Sequence, residues 1–162
     1  MNTRMLVWVT HALALAIHER QLSEHGGASG VRDEALLDSA LARPQQLFSY
    51  GDPPPDLVEL TASLAYGLAR NPPFVDGNKR TAHVCYRVFL LLNGAELIAS
   101  QEEKYVAMMR LADGAWSEAT FAQRLRPRVR LRADTHVHEP QGHYGWSNPG
   151  QQRVSIGTCM RK

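Results

Sequence analysis

The chain has 162 residues, 44% hydrophobic and 21% charged, a balance that suits one globular domain with a real core and excludes a low-complexity or disordered protein. No stretch of eighteen apolar residues occurs, so no membrane-spanning helix is expected. The net charge of +2 is uneven: residues 126–162 hold seven Lys/Arg against Asp134 and Glu139, a net +5, which leaves −3 for residues 1–125, so nucleic acid is not an expected partner of the body.

The first twenty residues resemble a leader, but His11 interrupts their apolar stretch and no small-residue cleavage site follows, so they read as part of a helix. Residues 10–27 carry Leu13, Ile17 and Leu22 at roughly helical spacing and stop at Gly26-Gly27. Residues 31–44 read as a second helix, with acids in its first turn and Pro44 just after its last. A rigid connector with three prolines follows, then a third helix over residues 56–71. It has Leu57, Leu60, Leu64 and Leu68 on one face and Val58, Ala62, Ala65 and Ala69 on another, and a helix apolar on two faces is buried. Pro72 and Pro73 end it. Residues 78–94 are again apolar nearly all round, close at Asn93-Gly94 and read as the central helix. Residues 95–99 read as a short strand. Ser100 with Glu103 forms a capping box opening a helix that closes at Gly114, and residues 117–127 form a last short helix. The expected fold is therefore all-α, about six helices around a buried central one. The domain spans residues 1–126, and residues 127–162 are a basic, Pro/Gly-rich tail expected to be largely irregular, with a strand conceivable where residues 129–138 alternate.

Cys85 and Cys159 form neither a metal pattern nor a disulfide framework, so a reducing cytoplasm is the expected compartment and Cys85 a small core residue. His11, His18 and His25 recur every seven residues, which suits a solvated or packed helix face better than a groove edge. His136, His138 and His143 lack a nearby acid or cysteine pair and are not read as a metal site.

The most informative stretch is "RNPPFVDGNKRTA", residues 70–82. Two buried helices meet there. Gly77 lets the backbone approach a ligand closely, and the amides opening the next helix have no intrahelical acceptor. The helix dipole favours negative charge at this point, and Lys79 and Arg80 add full cations. Together these make a phosphate cradle. Asp76 at its lip invites a bridging Mg²⁺, and Phe74 is expected to point inward as an anchor. A well-capped helix start with solvated cations is the alternative reading of the same residues. The spaced first glycine of a Walker A loop is missing.

Residues 71–82, "NPPFVDGNKRTA", resemble the signature of the Fic/Doc family, in which the loop reads His, any, Phe, any, Asp/Glu, Gly/Ala, Asn, then Gly in Fic or Lys in Doc, then Arg. Phe74, Asp76, Gly77, Asn78, Lys79 and Arg80 all match, and Lys79 points to the Doc (death-on-curing) branch. Residues 16–45 and 89–100 are similar to the corresponding parts of Doc toxins, so the likeness covers roughly residues 13–126. The resemblance implies a compact helical fold and transfer of part of a nucleoside triphosphate to a protein hydroxyl. For the Doc type, that is the terminal phosphate of ATP passed to elongation factor Tu, with an antitoxin holding the toxin in check from a surface groove. It also implies that Asp76 holds Mg²⁺ and that Gly77, Asn78, Lys79 and Arg80 hold the phosphates, with Lys79 and Arg80 serving the transfer.

One departure matters. The family's catalytic histidine falls at Pro72, which carries no proton-accepting group. Loss of a general base costs about 10²–10⁴ in rate. The readings that follow are a Doc-type toxin impaired at Pro72, a catalytically dead module that binds nucleotide or antitoxin, and an AMP-transferring Fic enzyme. Lys79 argues against the last.

Overall fold

The computed structural model describes residues 5–133, which form six α-helices and one two-stranded sheet. In chain order these are α1 (His11–His25), α2 (Glu34–Tyr50), α3 (Leu57–Arg70), α4 (Asn78–Leu92), β1 (Ala95–Leu97), α5 (Gln101–Ala112), α6 (Glu118–Leu125), a 3-10 turn (Arg126–Arg128) and β2 (Val129–Leu131). The domain is all-α apart from that ribbon, as expected. Among the described residues no helix is long and apolar enough to cross a membrane.

Capping sets most helix starts. The side chains of Thr10, Asp33, Asp56, Ser100 and Ser117 each accept a backbone N–H in the first turn of their helices. Asp56 with Glu59 and Ser100 with Glu103 complete capping boxes. α4 is the exception: it opens on Gly77 in the left-handed region (φ 73°) with no side-chain cap.

α3 is the most deeply buried element, with ten of its fourteen residues inside, against six of fifteen in α4. α2, α4, α5 and α6 all pack on it. Gly67 allows the α2 contact, since a Cβ there would lie 2.8 Å from Arg43 Cδ and 3.1 Å from the Ala40 Cα. α4 contributes Cys85, Tyr86, Phe89 and Leu90 to the core, but its outer residues Leu91 and Leu92 are exposed. Cys85 is a core residue, and burial pushes its thiol up to about 12. Trp8 stacks on Phe89 at 5.8 Å, and Asn93 holds both the N–H and the carbonyl of Val7, tying the amino-terminal segment to the end of α4.

One helix boundary differs from expectation, and the strand suggested by alternation beyond residue 126 forms at residues 129–131. α2 does not stop at Pro44 but runs six residues further with the proline inside it. The missing N–H costs one backbone bond to Ala40. Burial of Pro44 and packing of Leu47 against the core outweigh that loss. Regular structure also continues past residue 126. β2 pairs antiparallel with β1, Ala95 opposite Leu131 and Leu97 opposite Val129. Residues 134–162, with His136, His138, His143 and Cys159, lie outside the described residues.

Candidate active-site loop

The loop between α3 and α4 is built as a brace around Phe74. That side chain is 1% exposed and stacks face to face on His18, ring centroids 3.8 Å apart. Burying a phenylalanine in this way stabilises the loop by roughly 2–3 kcal/mol. His18 Nε2 in turn lies 2.9 Å from the Asp76 carbonyl, so α1 grips the loop at two points. The residues after α1 grip it from the other side. Val31 bridges Phe74 in antiparallel fashion, Val75 N–H donates to the Gly30 carbonyl, and the Arg32 and Asp33 amides both donate to the Pro73 carbonyl. The Arg32 guanidinium donates to the Pro72 carbonyl at 2.6 Å.

Asn78 closes the brace. Its Oδ1 accepts the Phe74 N–H at 2.8 Å, and its Nδ2 donates to the Phe74 carbonyl at 2.9 Å. The side chain is thus engaged within the loop, which leaves the Asn78 backbone amide as a helix-start donor. Arg80 donates to the Gly26 carbonyl at 3.1 Å, which ties α4 to the end of α1 and leaves its other guanidinium N–H groups for a ligand.

The Asp76 carboxylate accepts from Gly77 N–H at 2.7 Å and from Ala28 N–H at 3.3 Å. These backbone bonds, Gly77's above all, hold its pKa below the usual carboxylate range. Gly27 makes the approach possible: its φ is 126°, and a Cβ there would sit 2.6 Å from Asp76 Oδ2. Each carboxylate oxygen keeps a free lone pair on an exposed group. That fits Mg²⁺ bound through one carboxylate plus the substrate's phosphates. Among the described residues no cluster of three or more His, Cys, Asp or Glu side chains could hold a metal, so no protein cage is built.

The loop opens onto a cleft of about 580 Å³. Asp76, Gly77, Asn78, Lys79 and Arg80 line one side of it, and α5 supplies Lys104, Tyr105, Met108 and Met109. The α4 amides at its mouth have no side-chain cap, so the dipole end is open to an anion. Pro72 stands outside this lining and is half-buried.

His18 was not separable in the sequence from His11 and His25. The structure divides them. His18 is 1% exposed beside Ala14, Ile17, Gln21 and Leu22, whereas His11 pairs with Asp38 and Glu34 and His25 is exposed. Seven-residue spacing puts all three on nearly the same face of a helix, so the helical pattern does not single out His18. Arg32, His83 and the α5 wall depend on tertiary contacts and left no local signal.

The sequence model of the Fic/DOC family matches residues 8–90. The chain is similar to "Toxin Doc" of Mycolicibacterium smegmatis, 49% identical over 74 residues, which is 46% of this chain and 57% of that relative. It is also similar to "Protein kinase doc" of Escherichia phage P1, 33% identical over 88 residues, 54% of this chain and 69% of that relative. The chain therefore spans little more than half the length of the first of these curated relatives. The family match includes α1, the Phe74 brace and nearly all of α4, and on these grounds the chain belongs to the Fic/DOC family.

Proposed function

We propose that this chain is a Doc-type toxin domain that binds a nucleoside triphosphate, ATP in the first instance, and passes its terminal phosphate to a protein hydroxyl. Pro72 leaves it slow or inactive. The observation that carries the reading is the braced loop, with Phe74 buried, Asp76 held ionised and the start of α4 uncapped, all opening onto one cleft. Two relatives, one named a toxin and one a protein kinase, support it.

The loop residues have distinct tasks in this reading. The amides of Asn78 to Arg80 orient the phosphates, Gly77 N–H being held by the Asp76 carboxylate, and Lys79 and Arg80 stabilise charge that develops as the phosphoryl group moves. Asp76 would hold Mg²⁺, which when bound neutralises phosphate charge. Asn78 acts by keeping Phe74 in place. At position 72 no side chain takes up the target's proton. Elongation factor Tu is the first target to test. The partner is an antitoxin segment lying in a groove bordered by α1, α2 and the loop. Pro72 itself favours a second reading, a module that binds nucleotide and antitoxin without chemistry.

Replacing Pro72 by His separates the two. The start of the loop is held through the Pro72 and Pro73 carbonyls, which any residue supplies, so the backbone should accept the change. Transfer of labelled phosphate from ATP to elongation factor Tu should rise by about two to four orders of magnitude, the usual worth of a general base. A folded, nucleotide-binding Pro72→His protein that modifies nothing in a cell extract would leave the binding module as the function.

A further inference from the structure

The cleft has two chemically different ends. The loop end is cationic and rich in amide donors. The α5 end presents Tyr105, Met108 and Met109, whose aromatic and thioether surfaces suit a flat, weakly polar group, with Lys104 and Gln101 beside them. His83 is the next cleft-lining residue of α4 after Arg80, about 4.5 Å further along the helix axis and on the same face as Lys79 and Arg80. Its Nδ1 is buried and has no hydrogen-bond partner. A buried polar atom left in that state is destabilising, and a turn of the ring that brings it to a ligand in the cleft recovers the loss. The ring is steadied edge-on against Tyr86, centroids 5.3 Å apart.

Burial, aided by the positive charges of Arg87 and Lys104, pushes the His83 pKa down to about 4. The ring is therefore neutral near pH 7. A neutral imidazole adds no Coulomb attraction for a phosphate, and Lys79 and Arg80 already supply that. It offers instead one donor and one acceptor, the equipment for reading a sugar hydroxyl or the edge of a base. We infer that His83 is a specificity-determining residue of the cleft, hydrogen bonding the nucleoside part of a ligand whose phosphates lie at the start of α4. The inference rests on the phosphate-site reading given above and adds the part of the ligand that reading leaves open.

Calorimetry on the full chain with two probes, magnesium ATP and magnesium tripolyphosphate, tests it. Tripolyphosphate has the phosphates without the nucleoside. The wild-type chain should bind both, ATP more tightly. His83→Ala should weaken ATP about tenfold, the worth of one net hydrogen bond to a buried group, and leave tripolyphosphate unchanged. His83→Asn, which keeps a donor and an acceptor near the Nδ1 position, should restore part of the loss. Unchanged ATP affinity in a folded His83→Ala protein, or in a folded His83→Leu protein if the alanine variant does not fold, with tripolyphosphate still bound, overturns the role of His83 and leaves the phosphate site standing. Equal losses for both probes also overturn it, since His83 would then act on the phosphates or on the fold. Failure of the wild-type chain to bind tripolyphosphate overturns the phosphate site and this inference with it.

Discussion

Asn78 shows how a residue's position and its task can part. In the loop motif it sits among cationic and glycine positions, which reads as phosphate binding. In the fold its side chain pairs with both polar backbone groups of Phe74, across four residues and next to a fully buried ring. Removing it strands a partly buried N–H and carbonyl, which costs about 1–3 kcal/mol. Asn78→Ala should therefore lower the unfolding free energy by that amount, read from the shift of the urea midpoint multiplied by m. Asn78→Asp should lose less, because Oδ1 still accepts the Phe74 N–H and a negative charge at a helix start is favourable. An alanine variant of unchanged stability that no longer binds triphosphate would return the side chain to the ligand. His18 makes the complementary point. It belongs to the loop's support through stacking on Phe74 and contact with the Asp76 carbonyl, 58 residues away. Such a contact is a product of topology, and no local pattern announces it.

At the scale of elements, the sequence was most legible where local chemistry decides the outcome. Gly26 ends α1, Ser100 with Glu103 opens α5, and the doubly apolar third helix is the most buried. It was least legible where packing overrides local preference. Pro44 reads as a stop, yet α2 continues because its last two turns carry Leu47 to the core. The α2–α3 crossing depends on a similarly non-local feature, the absent side chain of Gly67. On propensity alone, Gly67→Ala should stabilise α3 by up to about 1 kcal/mol. The new Cβ would meet the backbone of Ala40 at 3.1 Å and Arg43 at 2.8 Å, and only the arginine is flexible. Forcing packed helices apart costs about 1–3 kcal/mol. The net expectation is a loss of about 1 kcal/mol, read as a lower midpoint in denaturant. A gain in stability would mean that α2 yields at this crossing and that Gly67 is not what sets it.

Across the whole molecule, the segment after α6 clips the domain together. The 3-10 turn places Arg126 on Asp56, the cap of α3, and Arg128 on Glu103, the capping-box residue of α5. β2 then pairs with β1, and Val129 packs on the core. Exposed ion pairs of this kind contribute little one by one, up to about 1 kcal/mol each. Acting with a strand and a half-buried valine, they fix the start of α5, and α5 is the far wall of the cleft. A domain boundary at residue 126, which the loss of helical periodicity suggests, cuts through this clip. Two shortened chains distinguish the clip from a dispensable extension. A chain ending at Ala133 keeps every one of these contacts, and one ending at Arg126 loses the strand and the Arg128 pair. The shorter chain should melt about 4–8 °C below the longer, the shift that 1–2 kcal/mol produces in a domain of this size. It should also bind magnesium ATP more weakly, because the α5 wall is no longer held at its first turn. Equal melting and equal affinity in the two chains would show that α5 is fixed by its contacts with α3 and α4 alone.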